Sequence, residues 1–357
     1  MDAANQLLGH IVNQRLRHIV EKAGILEPGQ GGYRELRSTD INTAKIRRLA
    51  IRAKRQKQQF LRVDLDFTNA YNAMSQPALW AIMRAFKIPD VDLLEAMYTH
   101  STVRMKPNSN QNATITFDTG VAQGSVLSPL LFIVFINALL RVLTQTGKKE
   151  NISHGINGLD DFNNIAFCDD MSIFAQDASG MQKLLRQVEN FERWSGIKLN
   201  PKKTEVMYVG PNQTKQNRAQ QLWYNGGALK INSEEEIYRL LGYYATADGD
   251  FTETKRRVME RTREEILNIQ HHPLETDAAA DLFISKAAGY FRFSAAIVTW
   301  SQRELEDLHK LWKQGYKAAW HLIAGTAYAT VAFPKEKGAL AMPNPWAVLT
   351  QTVIAHI

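Results

Sequence analysis

Between Phe60 and Val209 the chain alternates strand-like and helix-like segments in one order, strand, helix, hairpin, helix, strand, and that order restricts the fold more than any bulk property. Phe60–Leu65 reads as a strand that stops in the polar turn Asp66–Asn69. Pro77 opens a helix running to about Phe86, and Pro129 opens another running to about Leu143. Ile165–Phe167 and Met171–Ala175 are short apolar runs separated by Cys168, Asp169 and Asp170, the sequence form of a tight hairpin. Ser179 is the expected N-cap of a helix carrying Leu184, Leu185, Val188, Phe191 and Trp194 on one face and stopped by Gly196. A strand over Glu205–Val209 follows. Such an order is that of a ferredoxin-like split unit, in an α+β chain. Beyond about Phe251 the pattern is helical up to Ala324, and Gly325–Pro345 reads as irregular.

A length of 357 residues suits two or three domain-sized pieces. The apolar stretch Leu127–Leu140 is short for a bilayer span and is interrupted by Pro129 and Asn137, so no membrane partner is expected. Gly9 and His10 break the first apolar run, which argues against a signal peptide and for a place inside the cell, the nucleus included. The single cysteine, Cys168, excludes an intramolecular disulfide and a Cys-rich zinc module, and His271 and His272 before Pro273 read as a helix end. Residues 1–60 hold 12 Lys and Arg against 5 Asp and Glu, which accounts for the whole net charge of +7. Its densest part is an amphipathic helix over Ile41–Lys57, with Ile46, Leu49 and Ala53 on one stripe and Lys45, Arg47, Arg48, Arg52, Lys54, Arg55 and Lys57 around it. A nucleic-acid face and a solvated helix both fit that pattern.

The chemistry rests on acids at two strand ends. Cys168-Asp169-Asp170 alone is an ordinary turn, because Asp favours turns. About a hundred residues upstream, however, Val63-Asp64-Leu65-Asp66 ends another strand. In an antiparallel sheet the two ends can meet, and their carboxylates can share two Mg²⁺ ions about 3.5–4 Å apart, the arrangement used in nucleotidyl transfer. Two unrelated acidic turns remain the alternative at this point.

The segments around these acids resemble the ordered signatures of reverse transcriptases, in particular those of non-LTR retrotransposons. Asp66-Phe67-Thr68-Asn69-Ala70-Tyr71 is similar to the first, Gly120-Val121-Ala122-Gln123-Gly124-Ser125 through Ser128-Pro129 to the second, and Ala166-Phe167-Cys168-Asp169-Asp170 to the third. Gly196-Ile197-Lys198-Leu199-Asn200-Pro201-Lys202-Lys203 resembles the fourth and Leu240-Leu241-Gly242-Tyr243 the fifth, with Gln30-Gly31-Gly32-Tyr33-Arg34 and Arg37 upstream. The resemblance covers roughly residues 5–250. It implies a right-hand polymerase with a ferredoxin-like palm, partial fingers and a helical thumb. The corresponding ranges are 1–60 for partial fingers, 61–250 for the palm with an inserted fingers segment at about 78–118, 251–330 for the thumb, and 331–357 for its C-terminal extension.

Residue by residue, the resemblance implies that Asp66 and Asp169 are the principal ligands of two Mg²⁺ (or Mn²⁺) ions, with Asp170 beside them and the Phe67 carbonyl contributing. Tyr71 would lie beneath the incoming sugar and exclude a 2′-hydroxyl. Gln123 and Gly124 would face the nascent base pair, Arg34 and Arg37 would line the nucleotide path with Tyr33, and Lys203 would sit near the departing pyrophosphate. Leu241, Gly242 and Tyr243 would support the primer end. Asp64 shares the strand face of Asp66 and could support the metal ligands from behind, but pairing with Arg62 or another cation is its expected role. The implied partners are an RNA template, a DNA or RNA primer and dNTPs. The family pattern normally includes a further fingers segment upstream of the stretch resembling residues 5–40, and this sequence is expected to begin after it. A non-catalytic nucleic-acid-binding derivative and an RNA-dependent RNA polymerase are the competing readings; Tyr71 and Phe167-Cys168 oppose the second, and the intact acids oppose the first.

Overall fold

The strand pattern resolves, in a computed structural model describing residues 3–99, 102–105, 113–116, 119–121, 124–152, 162–210, 221–233, 235–271, 274–334, 336 and 340–354, into one four-stranded antiparallel sheet. Its strands are β1 (Phe60–Leu65), β4 (Asn164–Phe167), β5 (Asp170–Ala175) and β6 (Glu205–Val209), arranged β4-β5-β1-β6. Two shorter strands, β2 (Thr102–Met105) and β3 (Ala113–Thr116), pair with each other. The register sets Asp64 opposite both Ser172 on β5 and Glu205 on β6. This is the strand order of a split β-α-β unit, as the sequence pattern implies.

One face of the sheet carries Leu61, Val63, Leu65, Ile173, Val206 and Tyr208 into the core. Against that core lie α4 (Gln76–Ala85), α6 (Ser128–Glu150) and α7 (Ala178–Ser195). Upstream, α1 (Ala3–Lys22) and α2 (Thr39–Gln56) precede the sheet, and α3 (Ala70–Ala73) and α5 (Val91–Thr99) flank α4. The stripe expected on α2 is buried at Ile46, Leu49 and Ala53, and Ser38 caps its first turn. Two further strands, β7 (Trp223–Tyr224) and β8 (Gly227–Ala228), close the first unit, which spans Met1–Glu236.

Four local expectations change. Helix α6 continues two turns past Leu143 to Glu150, because Gly147 packs against Asn163 and Asn151 closes the helix in the left-handed region. At 23 residues it is long and apolar enough to cross a membrane by length and composition, contrary to the sequence expectation; in this fold it is a core helix, buried from Leu130 to Ile136. The N-cap of α7 is Asp177, not Ser179: Asp177 has extended backbone, and its carboxylate accepts the Gly180 amide. Trp194, expected on the buried face, is exposed.

The second unit spans Ile237–Ile357. Its first hairpin is fastened to its helices. Strands β9 (Tyr238–Leu240) and β10 (Tyr243–Ala245) are joined by Leu241 and Gly242, both at positive φ, the signature of a type I′ turn. Tyr243 is buried, stacks on Phe293 at 4.5 Å and donates to the Phe293 carbonyl at 2.8 Å. The helices are α8 (Thr252–Gln270), α9 (Thr276–Ala295), α10 (Gln302–Ala319), α11 (Tyr328–Ala332) and α12 (Pro345–Ile354). The last two fall where irregular chain and an extension were expected. Phe283, Phe291 and Trp312 fill the core, and a capping box between Ser301 and Glu304 starts α10.

Candidate active site

Both acidic strand ends meet at one end of the four-stranded sheet. β4 and β5 turn through only two residues, Cys168 and Asp169, so Asp170 is the first residue of β5 rather than part of the turn. Cys168 has φ +59°, a left-handed conformation that fits the first central position of a type II′ turn. Continuing the β1–β5 register one step beyond Leu65↔Met171 brings Asp66 opposite Asp170, on the sheet face shared by Arg62 and Asp64. After Asp66 the chain stays paired: Asn200 N donates to the Asp66 carbonyl and Thr68 N to the Lys198 carbonyl, each at 2.7 Å. That pairing fixes the loop of the fourth signature beside the first. Lys203 is exposed on the turn that follows.

The electrostatics agree with this placement. Asp169 is partly buried, and burial, together with the negative charge of Asp66, raises its carboxyl above the usual aspartate range despite a bond to its own amide. Burial pushes the Cys168 thiol up to about 12, so it behaves as a small apolar residue rather than a nucleophile. The Tyr71 ring stacks on Phe132 with centroids 4.4 Å apart and shares a side-chain hydrogen bond with Cys168. Burial, then the charges on the hairpin side, raise its hydroxyl far above the ordinary tyrosine value. Tyr71 is therefore neutral, and its ring is held between α6 and the hairpin.

The second signature is tied to the same place. Val121 N donates to the Tyr71 carbonyl at 3.1 Å, Gly120 N to the Met74 carbonyl at 2.7 Å, and Gln76 Nε2 to the Gly120 carbonyl at 3.0 Å. A Cβ on Gly120 would meet Asn72 backbone at 2.7 Å, so no side chain fits there. Gln123 lies outside the described residues. Gly124 is exposed at φ +83° with open space around it, so backbone conformation rather than crowding within the chain explains the glycine.

Arg34, expected on the nucleotide path, turns its guanidinium to Glu21 in a two-pronged pair at 2.8 Å and to the carbonyls of Glu27 and Gln30. Its role in this fold is to tie α1 to the following loop. Arg37 is exposed. Asp64 pairs with the buried Arg62 through both carboxylate oxygens and accepts from Ser172, as a partner for Arg62 rather than a metal ligand. Leu241, Gly242 and Tyr243 belong to the second unit, where Tyr243 is committed to the core. Two residues without a sequence-derived role also bear on the site. Gln30 bonds the Cys168 amide, and Glu192 is buried and accepts from Leu199 N and Asn225 Nδ2, bracing the fourth-signature loop. The only sequence hint for Gln30 is the pair of glycines after it.

Among the described residues no cluster of three or more His, Cys, Asp or Glu side chains forms a ready-made metal cage. The donors nevertheless suit a hard divalent cation: Asp66 and Asp169 offer carboxylate oxygens, partly open to solvent, whose mutual repulsion a cation would relieve.

A split β-α-β sheet with two carboxylates at one end, beside an aromatic ring, is the palm arrangement of the right-hand polymerase fold. The family model for reverse transcriptase (RNA-dependent DNA polymerase) matches residues 4–245, and the chain belongs to that family. Its relatives include the Pol polyproteins of R2 retrotransposable elements, the non-LTR type that the signatures resemble. The chain is 28% identical to that of Drosophila melanogaster over 193 residues, covering 52% of this chain and 18% of the relative. It is 26% identical to one from Popillia japonica over 333 residues, covering 90% of this chain and 44% of the relative. The chain thus spans less than half the length of these curated relatives. Among solved structures, apo telomerase from Candida tropicalis shares the fold with TM-score 0.53 at 12% identity, covering 98% of this chain and 55% of that one.

Proposed function

We propose that this chain copies RNA into DNA, joining dNTPs to a primer 3′-hydroxyl. The observation that carries the reading is the meeting of Asp66 with the Cys168–Asp169 turn at one sheet end, where the two carboxylates are close enough to repel. Asp66 and Asp169, with Asp170 and the Phe67 carbonyl beside them, would hold two Mg²⁺ or Mn²⁺ ions. Those cations would polarise the primer hydroxyl and neutralise charge on the departing pyrophosphate. Tyr71, locked against Phe132, presents a rigid ring wall where a ribose 2′-hydroxyl would otherwise fit, which selects deoxynucleotides. Gln123 and Gly124 would contact the nascent pair, Arg37 the nucleotide path, and Lys203 would offer a cation to the pyrophosphate. Leu241 and Gly242 would meet the primer end. The exposed Arg48, Arg55 and Lys57 on and just after α2 suit a phosphate backbone.

The test compares the chain with Asp169→Asn on a primed RNA template, supplying each nucleotide type separately. Mg²⁺-dependent extension with dNTPs, reduced by about 100-fold or more in the variant, is the expected result. Equal product from both proteins, or no product alongside tight, salt-sensitive binding, would replace the polymerase by a nucleic-acid-binding protein. Extension with ribonucleotides alone would make it an RNA polymerase.

A further inference from the structure

The hairpin bearing Asp169 is gripped from outside its own sheet. Segment 29–32, which leaves α1 and its following turn, runs alongside β4: Ala166 N donates to the Gly29 carbonyl at 2.9 Å, and Gly31 N donates to the Ala166 carbonyl at 2.8 Å. Asn42 Nδ2 on α2 donates to the same Ala166 carbonyl at 2.9 Å. Gln30 is completely buried. Its Oε1 accepts two amides at once, Gly32 N at 2.8 Å and Cys168 N at 3.0 Å. Its Nε2 has no protein partner among the described residues, so the side chain is kept for its acceptor. Cys168 is the residue whose backbone stands at φ +59°, a conformation that a non-glycine residue holds only when its surroundings impose it. Gly32 completes the grip: a Cβ there would overlap the Cys168 sulfur and come within 2.7 Å of the Cys168 amide.

We propose that Gln30 is a positioning residue that pins the Cys168–Asp169 turn through the Cys168 amide, and so sets where the Asp169 carboxylate stands beside Asp66. The proposal rests on the polymerase reading for its purpose, but its geometry is independent of it. Gln30 sits 138 residues from Cys168 in sequence, and through it the N-terminal helical segment holds the hairpin turn. A turn held from both sides keeps its carboxylate in one place, and a misplacement of about 1 Å in a catalytic group costs about 100-fold in rate.

Cys168 is the only cysteine of the chain, so thiol labelling reports on this turn alone. The experiment measures Gln30→Met, which keeps the length of the side chain and removes its carbonyl, in the full chain. Native-state labelling of Cys168 by N-ethylmaleimide should quicken about tenfold as the turn opens locally, with amide protection in β1 and β6 held. The kcat for primer extension should fall by about 10- to 100-fold with KM for the primer–template unchanged. Unchanged labelling and unchanged kcat would reduce Gln30 to a space-filling residue and overturn the proposal. Faster labelling in a chain that, unaltered, extends no primer would overturn the polymerase reading and with it the catalytic purpose of Gln30, leaving only the grip on the turn. If Gln30→Met does not fold, amide exchange of the unaltered chain decides. Cys168 and Gly32 amides protected like those of β5 support the grip, and exchange at open-loop rates refutes it.

Discussion

Asp64 shares a sheet face with Asp66, and replacing it by Asn separates an acid that pairs with Arg62 from one proposed to hold metal. Arg62 is 1% exposed, and its guanidinium meets both oxygens of Asp64, which also accepts from Ser172. Asp64→Asn leaves that guanidinium buried beside a neutral amide, a change that costs about 3–5 kcal/mol when a buried pair is broken. Two features reduce the cost here. The Asp64 side chain is 20% exposed, and Glu205 stands directly across on β6, able to take up negative charge once Asp64 has lost its own. The expected loss is therefore about 2–3 kcal/mol, which speeds amide exchange in β1 by roughly 30- to 140-fold. Hydrogen exchange is the assay of choice, because a chain of two units gives no single unfolding free energy. Replacing both partners, Arg62→Met with Asp64→Leu, should restore β1 protection to within about 1 kcal/mol. Each variant should extend primers normally per folded molecule. Unchanged β1 exchange together with abolished extension in Asp64→Asn would refute the pairing and move Asp64 into the reaction.

Tyr71→Ala should lower the preference for deoxynucleotides about tenfold or more, read from single-nucleotide incorporation with each sugar; unaltered discrimination removes Tyr71 from that role. Glu205 is held up at about 7 by burial and the charge of Asp64, against the pull of Arg62 and with smaller effects from Glu236 and Lys230. Between the ordinary glutamate value and that one the folded chain keeps a proton that the unfolded chain has released, so stability falls as pH rises through about 4.5 to 7 and is level outside it. Glu205→Gln should thus stabilise the chain by about 1–2 kcal/mol at pH 8, after discounting for partial exposure, and leave it unchanged at pH 4; equal effects at both pH values would contradict the assignment. Gly315→Ala would drive a methyl into the Phe283 ring on α9 and should cost about 1–3 kcal/mol, lowering the melting temperature of the second unit; an unchanged melting temperature would show that the ring moves aside freely.

Much of the sheet was legible in advance because strand signals are local. Phe60–Leu65 and Glu205–Val209 alternate or run apolar between polar turns, and both strands have the expected bounds. The hairpin of β4 and β5, the glycine stop of α7 and the meeting of the two acidic strand ends follow from residues within a few positions of each other and from the order of segments. What the sequence left open are choices between equivalent local signals. Asp177 and Ser179 can each cap a helix, and the polar tail of α6 contains no breaker strong enough to mark its end. Arg34 and Arg37 read alike as cations, yet the first is turned inward to Glu21 and the second is exposed.

By itself, then, the sequence determined the kinds of element, their order, and which acids end which strands, since these depend on spacing and on the chemistry of neighbouring residues. Tertiary structure decided how those acids are held. Whether Asp64 answers Arg62, whether Tyr243 packs on Phe293 and begins the second unit, and whether Gln30 reaches Cys168 are contacts between residues 2, 50 and 138 positions apart. Only the first is short enough to foresee. The other two arise because a buried donor or ring must find a partner wherever the packed chain brings one, and no local pattern records that partner.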